Sequence, residues 1–199
     1  MKPNILFVTI DALRADKTYG KNKTSKTPHI DSLISKGVYF EQTIAAADQT
    51  GSSLASIFTS NFPITFGINQ FNFSSKTETM LNIFKKSGYY TDSFVPDHDF
   101  FKSLTENFDN SDVYEADKKS SWKHLDDGPG VQIIDKIAAN KMKEPWFLYI
   151  HIMDIRLPFE VSEKFKDKKF GENNYEKLVS SIDVWVGKII KKIELTNTL

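Results

Sequence analysis

The chain has 199 residues, which is long enough for one domain with a substantial core and too short for two such domains. Its 26 Lys and Arg residues equal its 26 Asp and Glu residues, so no overall field draws it to nucleic acid or to an anionic membrane. The absence of cysteine excludes disulfides, zinc–thiolate sites and cysteine nucleophiles. We therefore expect a single domain over residues 1–199 in which any recognition of anions is local.

The first predicted element is a strand formed by the apolar run from Ile5 to Ile10, which leads directly into Asp11. A nearly continuous run of β-branched and aromatic residues is typical of a parallel strand covered on both faces. The run is too short to cross a membrane and lacks the cleavage pattern of a signal peptide. We expect a buried first strand, no membrane span, and a cytoplasmic protein unless a leader has been removed.

Helical and extended patterns alternate along the rest of the chain. The predicted elements are, in order, a helix from Thr27-Pro28 to Gly37, extended chain from Val38 to Phe40, a short helix through Ile57 and Phe58, a helix from Met80 to Gly88, a strand through Phe94 and Val95, a helix over Val131 to Ala138, a strand from Trp146 to Ile152 and a long helix over Tyr175 to Ile193. Residues 96 to 130 have no regular pattern and are interpreted as a long surface excursion. The alternation predicts a layered α/β domain.

Ligands of parallel sheets collect where the strands end and helices begin, and Thr50 precedes a short helix at such a place. A helix beginning near Ser52 leaves its first amides unpaired and carries a partial positive charge there. Gly51 lets the backbone approach an anionic ester closely, and Thr50 is then the candidate nucleophile. The alternative is that Thr50 or Ser52 is simply the N-cap of the helix.

Asp11 is the second candidate, because it follows the first strand directly. A lone acid there is often a turn residue, but beside a hydroxyl nucleophile its carboxylate can hold a divalent cation that lowers the hydroxyl pKa and neutralises the substrate. Arg14 either pairs with Asp16 or supports the site.

The third candidate is the run HIMDIRLPF, His151 to Phe159. His151 is either a satisfied core histidine or a catalytic one. Arg156 stands before Leu157-Pro158 on an extended stretch, where a guanidinium can offer two hydrogen bonds to a tetrahedral oxyanion. The alternative is a solvated surface arginine.

The order and spacing of these segments resemble the N-terminal part of the sulfatase family, within the alkaline-phosphatase-like superfamily. The resemblance is carried by PNILFVTIDALRAD (Pro3 to Asp16), TPHIDSLISKGVYFEQTIA (Thr27 to Ala45), TGSSLASIFTS (Thr50 to Ser60), GYYTDSFV, WFLYIHIMDIRLPF and YEKLVSSIDVWVGKIIKKI. It implies an α/β three-layer sandwich with a mostly parallel central sheet, in which Asp11 is a metal-binding aspartate.

Several residues depart from the family pattern. Thr50 stands where the family has the Cys or Ser that is oxidised to formylglycine, so no formylglycine is expected here. Leu54 replaces the arginine of that motif, Ala12 stands where many sulfatases have a second aspartate, and Arg156 takes the place of a histidine. The superfamily includes phosphoethanolamine transferases and lipoteichoic acid synthases with an unmodified threonine nucleophile, so the resemblance permits phosphoester chemistry.

The family motif Asp-His-Gly, which supplies further metal ligands, has no counterpart in this chain. A hard divalent cation takes about six oxygen ligands, more than Asp11 and Thr50 offer. The resemblance therefore implies an incomplete, truncated N-terminal portion with little catalysis of its own, and with an exposed sheet edge and exposed apolar surface.

The resemblance implies a metal-dependent hydrolase of sulfate or phosphate esters carried by a small molecule, a glycan or a lipid. In that hypothesis Asp11 and Thr50 contact calcium or magnesium, with manganese and zinc as alternatives, and Thr50 attacks. The helix amides at Gly51 and Ser52, together with Arg156, hold the transferring group, and His151 assists protonation or orients the substrate. Two alternatives stay open: a non-enzymatic remnant of the fold, and half of a split enzyme completed by a second chain or a missing C-terminal segment.

Overall fold

The computed structural model describes residues 2–63, 78–115, 123–139 and 141–196. The regular elements within them are β1 (Ile5–Ile10), α1 (Pro28–Lys36), α2 (Thr50–Thr59), α3 (Met80–Lys86), β2 (Tyr90–Pro96), α4 (Asp99–Thr105), β3 (Asn110–Tyr114), α5 (Pro129–Ala138), β4 (Trp146–Ile152) and α6 (Asn174–Leu195). By internal contacts the chain divides into two compact units. The first unit comprises Met1–Val8, Glu41–Tyr114 and Met142–Ile150, and the second comprises Thr9–Phe40, Glu115–Lys141 and His151–Leu199.

The strands of the described residues form one sheet in the order β1-β4-β2-β3. Strand β2 pairs in parallel with β4, Tyr90 opposite Trp146, and also with β3, Asp92 opposite Asn110. Every residue of β4 is buried, whereas every residue of β1 is only partly buried. The prediction of a strand from Ile5 to Ile10 is confirmed, but its predicted full burial is wrong because β1 stands at an end of this sheet.

Aromatic side chains form the core of the first unit. The ring of Phe7 in β1 lies 5.6 Å from that of Tyr149 in β4, and Phe58 of α2 contacts Tyr149 edge-on at 5.2 Å. Phe84 of α3 stacks on Phe147 with the ring centroids 4.5 Å apart. Such pairs contribute about 0.5–1.5 kcal/mol each beyond the area they bury. They hold α2 against the sheet and so fix where its N-terminus lies in this unit.

Helix α6 organises the second unit. Its buried residues include Leu178, Val179, Ile182, Ile189 and Ile193, and it packs against both α1 and α5. The predicted start of α1 at Thr27-Pro28 and its end at Gly37 are confirmed, although the Thr27 side chain does not cap the helix.

The cap of α1 comes instead from the buried carboxylate of Asp183 in α6. Asp183 accepts hydrogen bonds from the backbone N–H of His29 at 3.2 Å and of Ile30 at 2.7 Å. These are two of the amides that a helix N-terminus leaves without an intrahelical partner. The N-terminus of α1 therefore depends on a residue about 150 positions away in the sequence.

The predicted surface excursion over residues 96 to 130 is wrong. This stretch contains α4, β3 and the start of α5, while residues 116–122 lie outside the described part of the chain. Helix α4 forms because it buries three large side chains, Phe100, Phe101 and Leu104. The segment from Val38 to Phe40, which is predicted to be extended, does not form a strand of the sheet. Val38 and Phe40 are 82% and 74% exposed.

The other predicted helices agree with the structure to within a turn. Helix α3 ends at Lys86, and Gly88 follows with a φ of +80° and donates its N–H to the Lys85 carbonyl at 2.8 Å. A left-handed residue at this place is common after a helix, and glycine adopts it without steric cost. The predicted stop at Gly88 is therefore correct, and α5 and α6 likewise include the residues predicted for them.

Candidate functional site

Helix α2 begins at Thr50, two residues before the predicted start near Ser52. Gln49 is the N-cap residue, with extended backbone, and its carbonyl accepts the Ser53 N–H at 2.9 Å. The alternative that Thr50 or Ser52 is the N-cap is therefore wrong. The Gln49 side chain makes no capping hydrogen bond, so it does not satisfy the amides of the first turn.

Thr50, Gly51 and Ser52 together form the first turn of this ten-residue helix. Gly51 is buried, and Thr50 and Ser52 are partly buried. The turn contains no acidic residue, so no carboxylate within it offsets the partial positive charge of the helix N-terminus. The local geometry is one in which backbone amides can receive an anion beside the Thr50 hydroxyl.

Asp11 and Arg156, which belong to the second unit, are brought together. The Asp11 N–H donates to the Ile152 carbonyl at 2.9 Å, which fixes the residue at the end of β1. Its carboxylate is 9% exposed, and its Oδ2 accepts a hydrogen bond from Arg156 Nε at 2.8 Å. A charge-assisted bond of this kind is stronger than a neutral one. Arg156 is thus anchored on Asp11 while 41% of its side chain remains exposed.

The loop after Asp11 is strained and held in place by Tyr175. Ala12 has a φ of +55°, a left-handed conformation that costs an L-residue about 1–2 kcal/mol. The Tyr175 hydroxyl donates to the Ala12 carbonyl at 2.7 Å and accepts the Arg14 N–H at 2.8 Å. Arg14 pairs with Asp16 through two hydrogen bonds of 3.0 and 2.9 Å, which confirms that predicted pairing.

His151 is a buried residue of β4, 2% exposed. Its Nδ1 lies 2.7 Å from Thr9 Oγ1 and its Nε2 lies 3.1 Å from Met153 Sδ. Burial lowers the pKa of His151 to about 4, although the negative charge of Asp11 opposes this. The imidazole is therefore neutral at neutral pH, and its surroundings are those expected of a satisfied core histidine.

Asp154, two residues before Arg156, is a buried carboxyl that is 2% exposed. Its Oδ2 accepts the Leu125 N–H at 2.9 Å. Burial raises the pKa of Asp154 to about 7; the Leu125 hydrogen bond opposes this rise, and the charges of Asp126 and Asp127 add to it. This group therefore changes its charge near neutral pH.

A family model described as sulfatase matches residues 3–199, and the chain belongs to that family. It is 34% identical over 93 residues to an ulvan-active sulfatase of Formosa agariphila, a match that covers 45% of this chain and 18% of that protein. It is 27% identical over 152 residues to an N-acetylglucosamine-6-O-sulfatase of Bacteroides thetaiotaomicron, which covers 70% of this chain and 27% of that protein. The chain thus spans about a quarter or less of the length of these relatives.

Solved structures support the same fold. A phosphonate monoester hydrolase of Agrobacterium radiobacter superposes with a TM-score of 0.78 at 13% identity, over 99% of this chain and 60% of that one. The C-terminal periplasmic domain of EcEptC from Escherichia coli, in complex with Zn, superposes with a TM-score of 0.70 at 13% identity, over 100% of this chain and 61% of that one. The predicted α/β alkaline-phosphatase-like fold with a mostly parallel sheet, truncated relative to these neighbours, is confirmed.

Membership of the sulfatase family implies a divalent metal, but the residues described here do not fit one by themselves. Within residues 2–63, 78–115, 123–139 and 141–196, no group of three or more His, Asp or Glu side chains is arranged to hold an ion. Asp11 already faces the guanidinium of Arg156, whose positive charge repels a second cation. One carboxylate and a hydroxyl fall short of the six or more oxygen ligands that calcium takes.

Among the described residues, no helix has the length and apolar character that a membrane span requires.

The sequence does not indicate Tyr175, which binds the Ala12 carbonyl, as a site residue, because its position indicates only the start of an amphipathic helix. Its role depends on a contact across about 160 residues of sequence, which no local pattern reveals.

Proposed function

We propose that this chain provides the nucleophile of an ester hydrolase of the sulfatase family, with Thr50 as the attacking residue. The observation that carries the proposal is the place of Thr50 as the first residue of α2, in a turn that has no acidic side chain and receives no capping hydrogen bond from the side chain of Gln49. An anionic ester bound to the amides of Gly51 and Ser52 would lie against the Thr50 hydroxyl.

The proposed reaction has two steps. Thr50 Oγ1 attacks the sulfur or phosphorus of the ester and loses its proton, while the bond from that atom to the alcohol oxygen breaks and the alcohol leaves protonated. Water then attacks the same atom of the threonine ester, which releases sulfate or phosphate and restores the hydroxyl. The predicted roles of Asp11 and Arg156 in charge stabilisation stay predictions, and the neutral, buried His151 is better suited to orient its neighbours than to exchange protons.

The proposed substrates are sulfate esters, with phosphate esters as the alternative. Two relatives with sulfatase activity in their names support sulfate, and a phosphonate monoester hydrolase among the structural neighbours supports a phosphorus ester. An ion such as calcium or magnesium, with manganese and zinc as alternatives, stays a prediction. Its remaining ligands would have to come from outside the described residues, such as a further segment or a second chain.

The Asp11–Arg156 pair favours a second candidate, a non-catalytic remnant of the fold that has replaced its metal by a guanidinium. In that case calcium, magnesium, manganese and zinc leave the melting temperature unchanged. In the first case one of these ions binds the folded chain once the remaining ligands are supplied, and it then raises the melting temperature; Asp11→Asn abolishes that rise.

The proposal is tested on the chain together with the further segment or second chain that supplies the remaining metal ligands. The assay is hydrolysis of 4-nitrophenyl sulfate, 4-nitrophenyl phosphate and a 4-nitrophenyl phosphodiester, with and without each metal. We expect release of nitrophenol that is lost in Thr50→Ala and retained in Thr59→Ala, a threonine at the other end of α2 whose hydroxyl donates to the Ala55 carbonyl. Thermal melts of both variants show whether the fold is intact. Equal activity in Thr50→Ala and wild type, or no activity together with no metal effect, would reject Thr50 as the nucleophile.

A further inference from the structure

The segment that follows α1 in the second unit exposes apolar side chains to solvent. Val38 is 82% exposed and Phe40 is 74% exposed. Leu33, whose carbonyl accepts the Gly37 N–H at 2.9 Å where α1 ends, is 48% exposed. Single apolar residues are common at protein surfaces, whereas neighbouring ones that form a patch mark sites of interaction. Leu33, Val38 and Phe40 are together called the apolar face.

Tyr39 is the reason that the residues on either side of it point to solvent. Its ring centroid lies 4.4 Å from that of Tyr19, and Tyr39 is partly buried whereas its two neighbours are exposed. Successive side chains of an extended chain point to opposite sides, so the inward Tyr39 directs Val38 and Phe40 outward together. Gly37 enters this stretch with extended backbone, at φ −113° and ψ −155°. The contact between Tyr19 and Tyr39 therefore holds the segment that presents the apolar face.

The apolar face lies between two opposite charges. Lys36 is the last residue of α1, Glu41 follows Phe40 directly, and both charged residues are exposed. In chain order the segment thus has a cation, two outward apolar side chains and an anion. When two copies of such a segment meet in antiparallel order, Lys36 of each copy lies at the same end as Glu41 of the other. Parallel order would instead bring like charges together, so the segment is complementary to itself in one direction.

We propose that the apolar face binds a second copy of this chain about a two-fold axis, with the two segments antiparallel. When the axis passes at Tyr39, Val38 of each copy lies opposite Phe40 of the other, and both pairs bury apolar surface that the single chain exposes. Charge complementarity favours a second copy over an unrelated partner, because the segment supplies both signs itself. This inference is independent of the proposed hydrolase, since it uses none of the predicted site residues.

The expected dimer is weak. A stable and specific interface buries about 800 Å² on each partner, which is more than the apolar face and its two charged neighbours provide. Ion pairs between exposed side chains add little to the affinity. We therefore expect association at roughly 10–300 µM chain, and measurements from about 1 to 500 µM cover that range.

Sedimentation equilibrium of the whole chain tests the association. We expect the average mass to rise with concentration from 22.8 kDa toward twice that value. Association should be at least about tenfold weaker in Val38→Asp, which places a charge on the apolar face. The matched control is Val131→Asp, at a valine on α5 that is 54% exposed in the same unit, and it should associate as wild type does. Thermal melts check that both variants are folded.

Three results of this experiment would overturn the proposal. The first is equal association in wild type and Val38→Asp, and the second is an equal loss in Val38→Asp and Val131→Asp. The third is a wild-type chain that stays monomeric over the whole concentration range, which would assign the apolar face to a further segment of the polypeptide or to another partner.

Charge reversal tests the antiparallel order without changing the apolar side chains. Lys36→Glu alone and Glu41→Lys alone should each weaken association several-fold, because like charges then meet at both ends of the interface. The double variant should regain wild-type association, and the two single variants should form a heterodimer when they are mixed. Association that neither the double variant nor the mixture regains would overturn the antiparallel dimer.

Cross-linking locates the contact in the wild-type chain. Isotope-labelled and unlabelled chains are mixed in equal amounts and treated with a carbodiimide, which joins the Lys36 amine to the Glu41 carboxylate as an amide and itself takes up the water released. We expect linked peptides that combine a labelled and an unlabelled chain, with a yield that falls on dilution. A link between these residues that forms only within one chain would overturn the proposal.

Discussion

Asp154 is a buried carboxyl whose ionisation should make the fold less stable as the pH rises. It is 2% exposed, and its carboxylate accepts a hydrogen bond from the Leu125 N–H at 2.9 Å. Burial, with the nearby charges of Asp126 and Asp127, raises its pKa to about 7 from an ordinary value of 3.8. In the folded chain the protonated form is therefore favoured over a pH range in which the unfolded chain is already ionised.

The sign and size of the effect follow from that difference. Because the folded pKa is raised, the contribution of Asp154 to the unfolding free energy is fully present below its unfolded pKa. This contribution is lost progressively as the pH rises through the folded pKa. The difference between the ordinary pKa of 3.8 and the folded pKa of about 7 corresponds to roughly 4 kcal/mol of unfolding free energy lost above about pH 7. Asp154→Asn keeps an oxygen that can accept the Leu125 N–H and carries no charge, so it avoids this loss.

Urea denaturation at about pH 4.5 and about pH 8 measures the effect. We expect Asp154→Asn to be more stable than wild type by roughly 3–4 kcal/mol at the higher pH, and within about 1 kcal/mol of it at the lower. Asp135→Asn, an exposed carboxyl on α5, should differ from wild type by less than about 0.5 kcal/mol at either pH. The same difference between Asp154→Asn and wild type at both pH values would show that ionisation of Asp154 does not destabilise the fold.

Three further predictions concern the second unit. Glu176→Gln should lower the unfolding free energy by roughly 3 kcal/mol at neutral pH. The lowered pKa of Glu176 adds stability above about pH 4.5, and this stability is lost toward pH 2. Urea titrations of wild type across this pH range should show that loss. Gly187→Ala should destabilise by about 1–3 kcal/mol, since an added Cβ would lie 2.4 Å from the His29 ring, and an unchanged melting temperature would contradict this packing. Ala12→Gly should raise stability by about 1 kcal/mol by relieving the left-handed backbone, and a lower melting temperature would show that Ala12 is not strained.

The elements that the sequence predicts well are those specified by local patterns. Helix α1 has a threonine-proline start and a glycine end, and β4 is a continuous apolar run, so neighbouring residues alone indicate both. Helix α6 is long enough for its apolar positions to repeat over several turns. The first turn of α2 was also found as a candidate site, because small hydroxylated residues around Gly51 are unusual in this charged chain.

The features that the sequence did not predict depend on distant contacts. Strand β3 has the polar sequence NSDVY, with only Tyr114 buried, and it is a strand because β2 pairs with it. Helix α4 has seven residues, as α3 has, but no glycine follows it in the way that Gly88 marks the end of α3. The cap that Asp183 gives to α1, and the meeting of Phe159 with Tyr175, join segments that no short window includes.

The proposed attack by Thr50 is tested by trapping the ester that it would form with the substrate. The chain, together with the further segment or second chain that supplies the remaining metal ligands, is mixed with 4-nitrophenyl sulfate or 4-nitrophenyl phosphate in the presence of each divalent metal. The mixture is quenched in acid, digested and examined by mass spectrometry. The account predicts one sulfuryl or phosphoryl group on Thr50, absent from Thr50→Ala and present in Thr59→Ala. Turnover of either substrate with the group on another residue, or continued turnover by Thr50→Ala, would contradict it.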